Sequence, residues 1–235
     1  MFMSTVGFIH VIWETNEARI KSDPPFRCIP GNVNTGDPDL DQIQIEGEDR
    51  QARRYDYYRD IKAISLLART TPEDRTTRAI HFTTIPTTVP LPYNDECAML
   101  SAFWNHVHTN YITLLGGWNL SHCSFPLIVG KALQHGIPVP SAFMPNPFKK
   151  FQDPAICELS TLYTQSSFQK ARPLPDLNDI GSWWGLPTDN ALPPVSAVKL
   201  ASLTPEEMGE YGFAVVERSL NMMADMLLTY SRLQL

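Results

Sequence analysis

The sequence has little of what a disulfide or zinc scaffold requires. It contains four cysteines in 235 residues, and none of them lies in a C-x-x-C pair. This spacing argues against a structural zinc site. A chain of this length can also bury a core without disulfide support. We therefore expect reduced thiols and a cytoplasmic location.

Long hydrophobic runs and an excess of positive charge are also absent. No run of about 18 apolar residues occurs, so no segment is expected to span a membrane. The net charge is −6 and the pI is near 5.5. This charge balance argues against tight binding of nucleic acid through phosphate contacts over the whole surface. It does not exclude a local basic groove.

The sequence does contain short apolar runs typical of buried strands, and between them segments in which apolar residues recur at helical spacing. This alternation of strand and helix patterns predicts an α/β or α+β fold. Strands are predicted at residues 7–15, 61–68, 78–84 and 111–115. Helices are predicted at residues 95–107 and 126–135. A further helix near the end is signalled by a capping box that begins at Thr204 and reaches Glu207.

Two segments interrupt this pattern. Residues 22–54 are polar and acidic and contain four prolines, which predicts an exposed insertion or long loop after the first strand. Residues 138–175 are rich in proline and are expected to be irregular. We interpret residues 1–235 as one domain that carries these two segments.

The most specific motif begins where the fourth predicted strand ends. Gly117, Trp118 and Asn119 follow the strand, and Ser124 and Pro126 then open a helix. This arrangement resembles the second exonuclease motif of family B DNA polymerases and their stand-alone relatives. The family has Gly-aromatic-Asn at the end of a strand, followed by Phe-Asp-x-Pro at the start of a helix.

The resemblance implies a ribonuclease H-like fold, which is a mixed sheet flanked by helices, here with an acidic insertion after the first strand. It also implies a 3′–5′ exonuclease that holds two divalent ions, Mg²⁺ or Mn²⁺, through carboxylates. In this chain the family's aspartate falls on Ser124. A serine hydroxyl is a weak metal ligand, but Ser124 could still cap the helix that starts near Pro126.

The other two motifs have also lost acids. The family's Asp-x-Glu-Thr at the end of the first strand aligns with Ile12 and Glu14, so Glu14 is the one motif acid that is kept. Both residues face the same side of a strand. In the third motif the acid falls on Val215, or on Asn221 in a shifted register, with Asp225 as a weaker candidate.

These losses predict a catalytically degenerate protein without a cofactor. It would be a nucleic-acid-binding or scaffolding subunit of a larger nucleoprotein assembly, with a protein partner, single-stranded nucleic acid as a second partner, and no membrane contact. One alternative is a divergent metal-dependent nuclease that gathers Glu14, Asp176, Asp179 and Asp225. Another is a protein-interaction module that uses Trp183, Trp184 and residues 138–175.

Five residues are candidates for contact with nucleic acid: Arg53, Arg54, Trp118, Asn119 and Lys131. Arginines interleaved with tyrosines can contact the backbone and stack on bases. The alternative for the arginines is a solvated surface that Glu46, Glu48, Asp49 and Asp56 neutralise. The alternative for Trp118 is packing against the sheet.

Overall fold

The computed structural model describes residues 5–25, 32–53, 55–69, 76–118, 120–144, 155–161, 201–208 and 213–233. The chain forms two compact units. The first unit comprises Met1–Ile12 and Lys62–Leu235, and the second comprises Trp13–Ile61. The segment predicted as an acidic insertion therefore lies in the second unit.

A mixed sheet organises the fold. Its five strands are β1 (Thr5–Thr15), β2 (Arg59–Arg69), β3 (Ile80–Thr83), β4 (Ile112–Gly117) and β5 (Ile156–Glu158). Their order is β3-β2-β1-β4-β5. Strand β4 runs parallel to both β1 and β5, whereas β3 runs antiparallel to β2. This arrangement confirms the predicted α/β class and is consistent with a ribonuclease H-like fold.

The longer helices of the described residues are α1 (Glu17–Ser22), α2 (Pro38–Ala52), α3 (Glu96–Thr109), α4 (Phe125–Gln134) and α5 (Phe213–Leu233). Shorter helical turns occur at Asp56–Tyr58, Leu120–Ser124, Ser141–Phe143 and Pro205–Glu207. No helix in this part of the chain has both the length and the apolar character needed to cross a membrane.

Helix α3 forms where the sequence predicts it. The side chain of Asp95 accepts a hydrogen bond of 2.8 Å from the backbone N–H of Ala98, which caps the helix. The apolar positions recur at helical spacing, so one face is buried: Met99, Leu100, Phe103, Trp104 and Val107. The capping box at Thr204 is also formed, since Thr204 and Glu207 exchange both hydrogen bonds.

A buried hydrophobic cluster joins the sheet to helix α5 within the first unit. It contains Phe8, Ile12, Ala63, Leu67, Ile85, Leu159, Met208, Phe213, Val216, Leu220, Met223 and Ala224. The side of helix α5 that carries Val216, Leu220 and Met223 therefore faces the core. Gly117, at the end of β4, must be small at this place because an added Cβ would lie 3.2 Å from the carbonyl oxygen of Ile9.

Residues 38–52 of the segment predicted as an insertion or long loop form helix α2. The side chain of Asp37 caps the helix, and Pro38 occupies its first turn. Gln42 and Glu46 then hydrogen-bond one turn apart at 2.9 Å. Because the helix is polar nearly all round, it lacks the apolar stripe by which sequence analysis detects helices.

Candidate functional site

Ile12, at the position where the first motif of the resembling family has an aspartate, lies in an apolar environment. Ile12 is 3% exposed and belongs to the buried cluster that includes Val216 and Leu220 of helix α5. A divalent ion needs oxygen ligands, and this side chain offers none. An isoleucine in place of an aspartate at residue 12 therefore agrees with the apolar side chains that surround this position.

Glu14, the acid that the sequence resemblance assigns to the first motif, lies two residues further along β1 and belongs to the second unit. Its side chain is half-buried. A single carboxylate provides too few oxygen ligands to hold a pair of divalent ions, each of which takes about six. Glu14 therefore stays a candidate catalytic residue only because of its place in the first motif.

Ser124 immediately precedes helix α4 and is half-buried. The prediction that its hydroxyl caps this helix is wrong, because its side chain makes no capping hydrogen bond. The physical reason is that residues Leu120–Ser124 already form a π-helical turn, and Ser124 itself has helical angles of φ −69° and ψ −43°. A capping side chain needs a backbone outside the helical region.

The third motif has no free acid on helix α5. Val215 is 6% exposed and cannot bind a metal. In the shifted register, the Asn221 side-chain oxygen accepts a hydrogen bond from the Arg69 guanidinium, while its amide donates to the Glu217 carbonyl at 2.9 Å. Asp225 lies one turn further on, and its Oδ1 is 3.9 Å from Nη1 of Arg69.

Arg69 is the residue of this region that sequence analysis missed. It ends strand β2, is 5% exposed, and presents its cation to Asn221 and Asp225. Its Nε and Nη1 make no hydrogen bond with the described residues. The only sequence signal was a charged residue directly after an apolar strand, and that signal does not reveal a partner more than 150 positions away.

A pair of Mg²⁺ or Mn²⁺ ions does not fit these residues. Ile12, Ser124 and Val215 stand where the sequence resemblance predicts acids, and Ile12 and Val215 are buried; Asp225 is paired with a buried arginine. Within the described parts of the chain, no three His, Cys, Asp or Glu side chains are grouped so that they could hold a metal ion. Asp176 and Asp179 lie outside those parts.

Glu158 is the carboxylate that organises the second motif, although the sequence did not single it out. At the end of β5 it accepts hydrogen bonds from the backbone and hydroxyl of Ser121, at 2.8 and 3.0 Å. Its other oxygen accepts from the backbone and hydroxyl of Ser160, at 3.0 and 2.6 Å. These bonds tie the π-helical turn to the sheet.

Two of the three basic residues predicted to contact nucleic acid, Arg53 and Lys131, are engaged in ion pairs. Arg53 binds Asp49 and also Glu17, at 3.1 Å, and these hydrogen bonds raise its pKa. Lys131 is 2% exposed, and its Nζ lies 3.6 Å from Glu96. The amine of Lys131 is thus directed to an internal carboxylate rather than to the surface.

The aromatic candidate Trp118 is half-buried and packs against the hydrophobic cluster below the sheet. This agrees with the alternative in which it packs against the sheet. Arg54 and Asn119, and also Trp183 and Trp184, lie outside the described residues. The structure therefore does not gather the five candidates into one described surface.

Comparison with protein-family models gives no match, and no curated protein matches the chain. Among solved structures, the chain is similar to the family B DNA polymerase from the hyperthermophilic archaeon Pyrobaculum calidifontis, with 11% sequence identity and a TM-score of 0.49. The similarity covers 98% of this chain and 24% of that polymerase chain, so this chain spans about a quarter of its length. The fold assignment rests on the order and directions of the strands.

Two histidines of the first unit give the protein a predicted acid sensitivity. Burial lowers the pKa of His81 to about 4, against an opposing effect of Glu217, and burial lowers the pKa of His10 to about 4. His81 Nδ1 is 2.8 Å from the hydroxyl of Ser65, and its ring stacks on Phe213. Both imidazoles are therefore neutral in the folded protein at neutral pH.

Because the folded pKa lies below the unfolded value near 6.5, the unfolded chain binds more protons as the pH falls. The free energy of unfolding is expected to be highest above about pH 6.5. Below that pH it is expected to fall by up to about 1.4 kcal/mol per pH unit for each histidine. Urea unfolding at pH 7.5, 6.0 and 5.0 measures the slope. An unchanged slope in His81→Gln would contradict the assignment to His81.

Proposed function

We propose that this chain is a non-catalytic ribonuclease H-like protein that acts as a scaffolding subunit of a larger nucleoprotein assembly. The observation that carries the proposal is the burial of Ile12 among apolar side chains of β1 and α5, at the position where the resembling exonucleases hold a metal ligand. In this proposal the fold is retained, and the charged metal ligand at residue 12 is replaced by an apolar side chain that packs in the core.

The pairing of Arg69 with Asp225 supports the same proposal. In a two-metal nuclease the acids must stay available to the ions. Here the acid nearest to the third motif faces a guanidinium that is buried with it, and the side-chain exposures are 4% for Arg69 and 12% for Asp225. This favours scaffolding over a divergent nuclease that would use Asp225.

A direct role in binding nucleic acid is the second candidate. Tyr55 and Tyr57 of the second unit are 49% and 45% exposed, and exposed tyrosine rings can stack on unpaired bases. The hydroxyl of Tyr57 is hydrogen-bonded to Asp23 at 2.7 Å. Because Arg53 and Lys131 are ion-paired, binding is expected to be weak and to depend on stacking more than on phosphate contacts.

The proposal is tested by a nuclease assay with labelled single-stranded and duplex DNA and RNA in Mg²⁺ or Mn²⁺. The wild type and Glu14→Ala are expected to leave every substrate intact over hours. Degradation by the wild type that is lost in Glu14→Ala would show that Glu14 belongs to a rearranged metal site, and it would overturn the proposal.

Fluorescence anisotropy with the same single-stranded oligonucleotides separates the two candidates. Salt-sensitive binding that weakens in Tyr55→Ala would support a nucleic-acid-binding subunit. Ile43→Ala is the matched control, because Ile43 is an exposed apolar residue of the same unit, at 61% exposure. If neither the wild type nor the variants bind the oligonucleotides, the result would favour a scaffold that acts through contacts with other proteins.

A further inference from the structure

Helix α2 of the second unit turns one side to solvent. Leu40 and Ile43, which lie one turn apart, are 50% and 61% exposed. Gly47 follows one turn later on the same side, and a Cβ added to it would meet no atom within 4 Å. The opposite side of the helix is half-buried at Ile45 and Asp49. We call the outward side with Leu40, Ile43 and Gly47 the α2 strip.

The α2 strip is a short apolar region on a helix that is otherwise polar. Its two large side chains expose hydrocarbon to water, so a partner that covers them gains affinity. Gly47 has no side chain, and another element of structure can therefore approach the helix closely at this position. From Leu40 to Gly47 the helix rises about 10 Å, which is about two turns. A partner helix of similar length matches the strip.

Acidic residues lie beside the α2 strip. Helix α2 contains five acidic residues and one basic residue, Arg50. Helical geometry places Asp39 and Glu46 along one flank of the strip, and both are exposed. Neither forms an ion pair with any other described residue, and Glu46 accepts a hydrogen bond of 2.9 Å from the neutral amide of Gln42. A cationic partner therefore meets two carboxylates that are not paired with a described base.

The half-buried acids of α2 differ from these two. Asp41 accepts hydrogen bonds from the backbone and the hydroxyl of Thr35, each at 2.7 Å. Asp49 forms an ion pair with Arg53. Both carboxylates are thus engaged within the unit. Asp39 and Glu46 are the acids that stay available to a partner.

Charge decides among three kinds of occupant. A nucleic acid carries phosphates, which the flanking carboxylates repel. A second copy of this chain would bring a second strip with the same carboxylates, and like charges that face each other across an interface cost affinity. A partner helix with lysine or arginine beside its apolar residues carries the opposite charge. Coiled coils use such flanking charge pairs to select their partners.

We propose that the α2 strip docks a basic amphipathic helix of a partner protein. Apolar residues of that helix cover Leu40 and Ile43, and a large side chain lies over Gly47. Its lysine or arginine side chains meet Asp39 and Glu46. The inference rests on the scaffolding role proposed above and gives the partner a chemistry. Amphipathic helices that bind through apolar residues one turn apart are a recurring mode of recognition.

Fluorescence anisotropy of the full chain with a labelled, capped peptide tests the proposal. The probe has three heptads, with leucine at the a and d positions and lysine at the e and g positions. Saturable binding that weakens as the salt concentration rises is expected. A scrambled peptide of the same composition, which has no apolar face, is expected to bind at least about tenfold more weakly.

The double variant Leu40→Ser with Ile43→Ser removes the apolar contacts without changing the charge. It is expected to weaken binding of the probe by at least about tenfold. Val89→Ser with Leu91→Ser is the matched control, because these apolar residues of the first unit are 72% and 79% exposed. The control is expected to leave the affinity unchanged within about twofold.

A charge variant tests the flank of the strip. Glu46→Gln removes the charge and keeps an acceptor oxygen for Gln42, and it is expected to weaken the probe about threefold and to reduce the salt dependence. Glu206→Gln is the control, since Glu206 is an exposed acid of the first unit, and it is expected to change neither quantity. This pair decides the proposal if Leu40→Ser with Ile43→Ser does not fold.

Three results with the probe would overturn the α2 proposal: no saturable binding up to about 100 µM, equal binding of the scrambled peptide, or equal effects of the strip variants and their controls. Self-association of the wild type that is lost in Leu40→Ser with Ile43→Ser would also overturn it, in favour of a second copy. Nuclease activity together with specific probe binding would overturn the proposed function alone. Absence of both would overturn the α2 proposal alone, so the two failures are distinguishable.

Discussion

Replacing Ile12 with aspartate is expected to lower the free energy of unfolding by about 4 kcal/mol or more. Ile12 is 3% exposed within the apolar cluster, so the new carboxylate would lose its hydration without gaining a partner in that cluster. The packing of the isoleucine side chain would also be lost. Urea unfolding followed by circular dichroism measures the change.

Ile43→Asp is the matched control for this prediction. It makes the same substitution at a residue of helix α2 that is 61% exposed, and the expected change is within about 0.5 kcal/mol. If both variants lose the same stability, the burial of Ile12 is not the cause. Comparison of the two variants therefore distinguishes the effect of burial at residue 12 from the effect of replacing isoleucine with aspartate anywhere.

The same two proteins test for a latent metal site. A ligand that binds the folded state raises stability by RT ln(1 + [L]/Kd). Neither wild type nor Ile12→Asp is expected to be stabilised by 10 mM Mg²⁺, a concentration chosen to exceed the Kd of an ordinary magnesium site by roughly tenfold or more. Recovery of more than about 1 kcal/mol in Ile12→Asp would show that ligands for Mg²⁺ gather at this position, against the proposed function.

Replacing Arg69 with methionine is expected to destabilise the protein by about 3 kcal/mol or more. The substitution keeps an apolar side chain of similar length but leaves the Asp225 carboxylate at 12% side-chain exposure with the arginine charge gone. Removing one member of a buried ion pair typically costs about 3–5 kcal/mol. Asn221 would lose a hydrogen bond as well.

Arg78→Met is the control, because Arg78 also pairs with a carboxylate of helix α5 but at the surface. Its Nη1 lies 3.3 Å from Glu217, and its side chain is 85% exposed. Such pairs contribute about 0–1 kcal/mol, so a small effect is expected. In the double variant Arg69→Met with Asp225→Leu, the loss is expected to be smaller than the sum of the single losses. Additive losses would contradict the pairing.

The sequence was sufficient for the elements whose signals are local. Helix α3 forms where it was predicted and is capped by Asp95, and the predicted capping box at Thr204 is formed, because both features depend on residues within one helical turn. Strands β1 to β4 follow from short apolar runs, whereas the expectation that residues 138–175 are irregular was wrong at β5, whose three residues are too few to give a periodic signal. Helix α2 was missed because its stability comes from capping and polar pairs one turn apart, without an apolar stripe.

The motif comparison already placed Ile12, Ser124 and Val215 at positions where the resembling family has acids. What occupies that region was not visible. Ser124 could be placed at the start of α4, but its capping role failed because a π-helical turn precedes the helix. Ser121 of this turn is hydrogen-bonded to Glu158, 37 positions away, and the local sequence does not reveal that contact.

The sequence by itself determined the fold class, the capped helices and which residues stand where the resembling family has acids. These follow from local periodicity, side-chain hydrogen bonds within a turn, and residue chemistry. Only the tertiary structure decided that Lys131 is buried beside Glu96 and that Arg69 meets Asn221 and Asp225. These contacts join distant segments, and they depend on how the core packs rather than on any pattern along the chain.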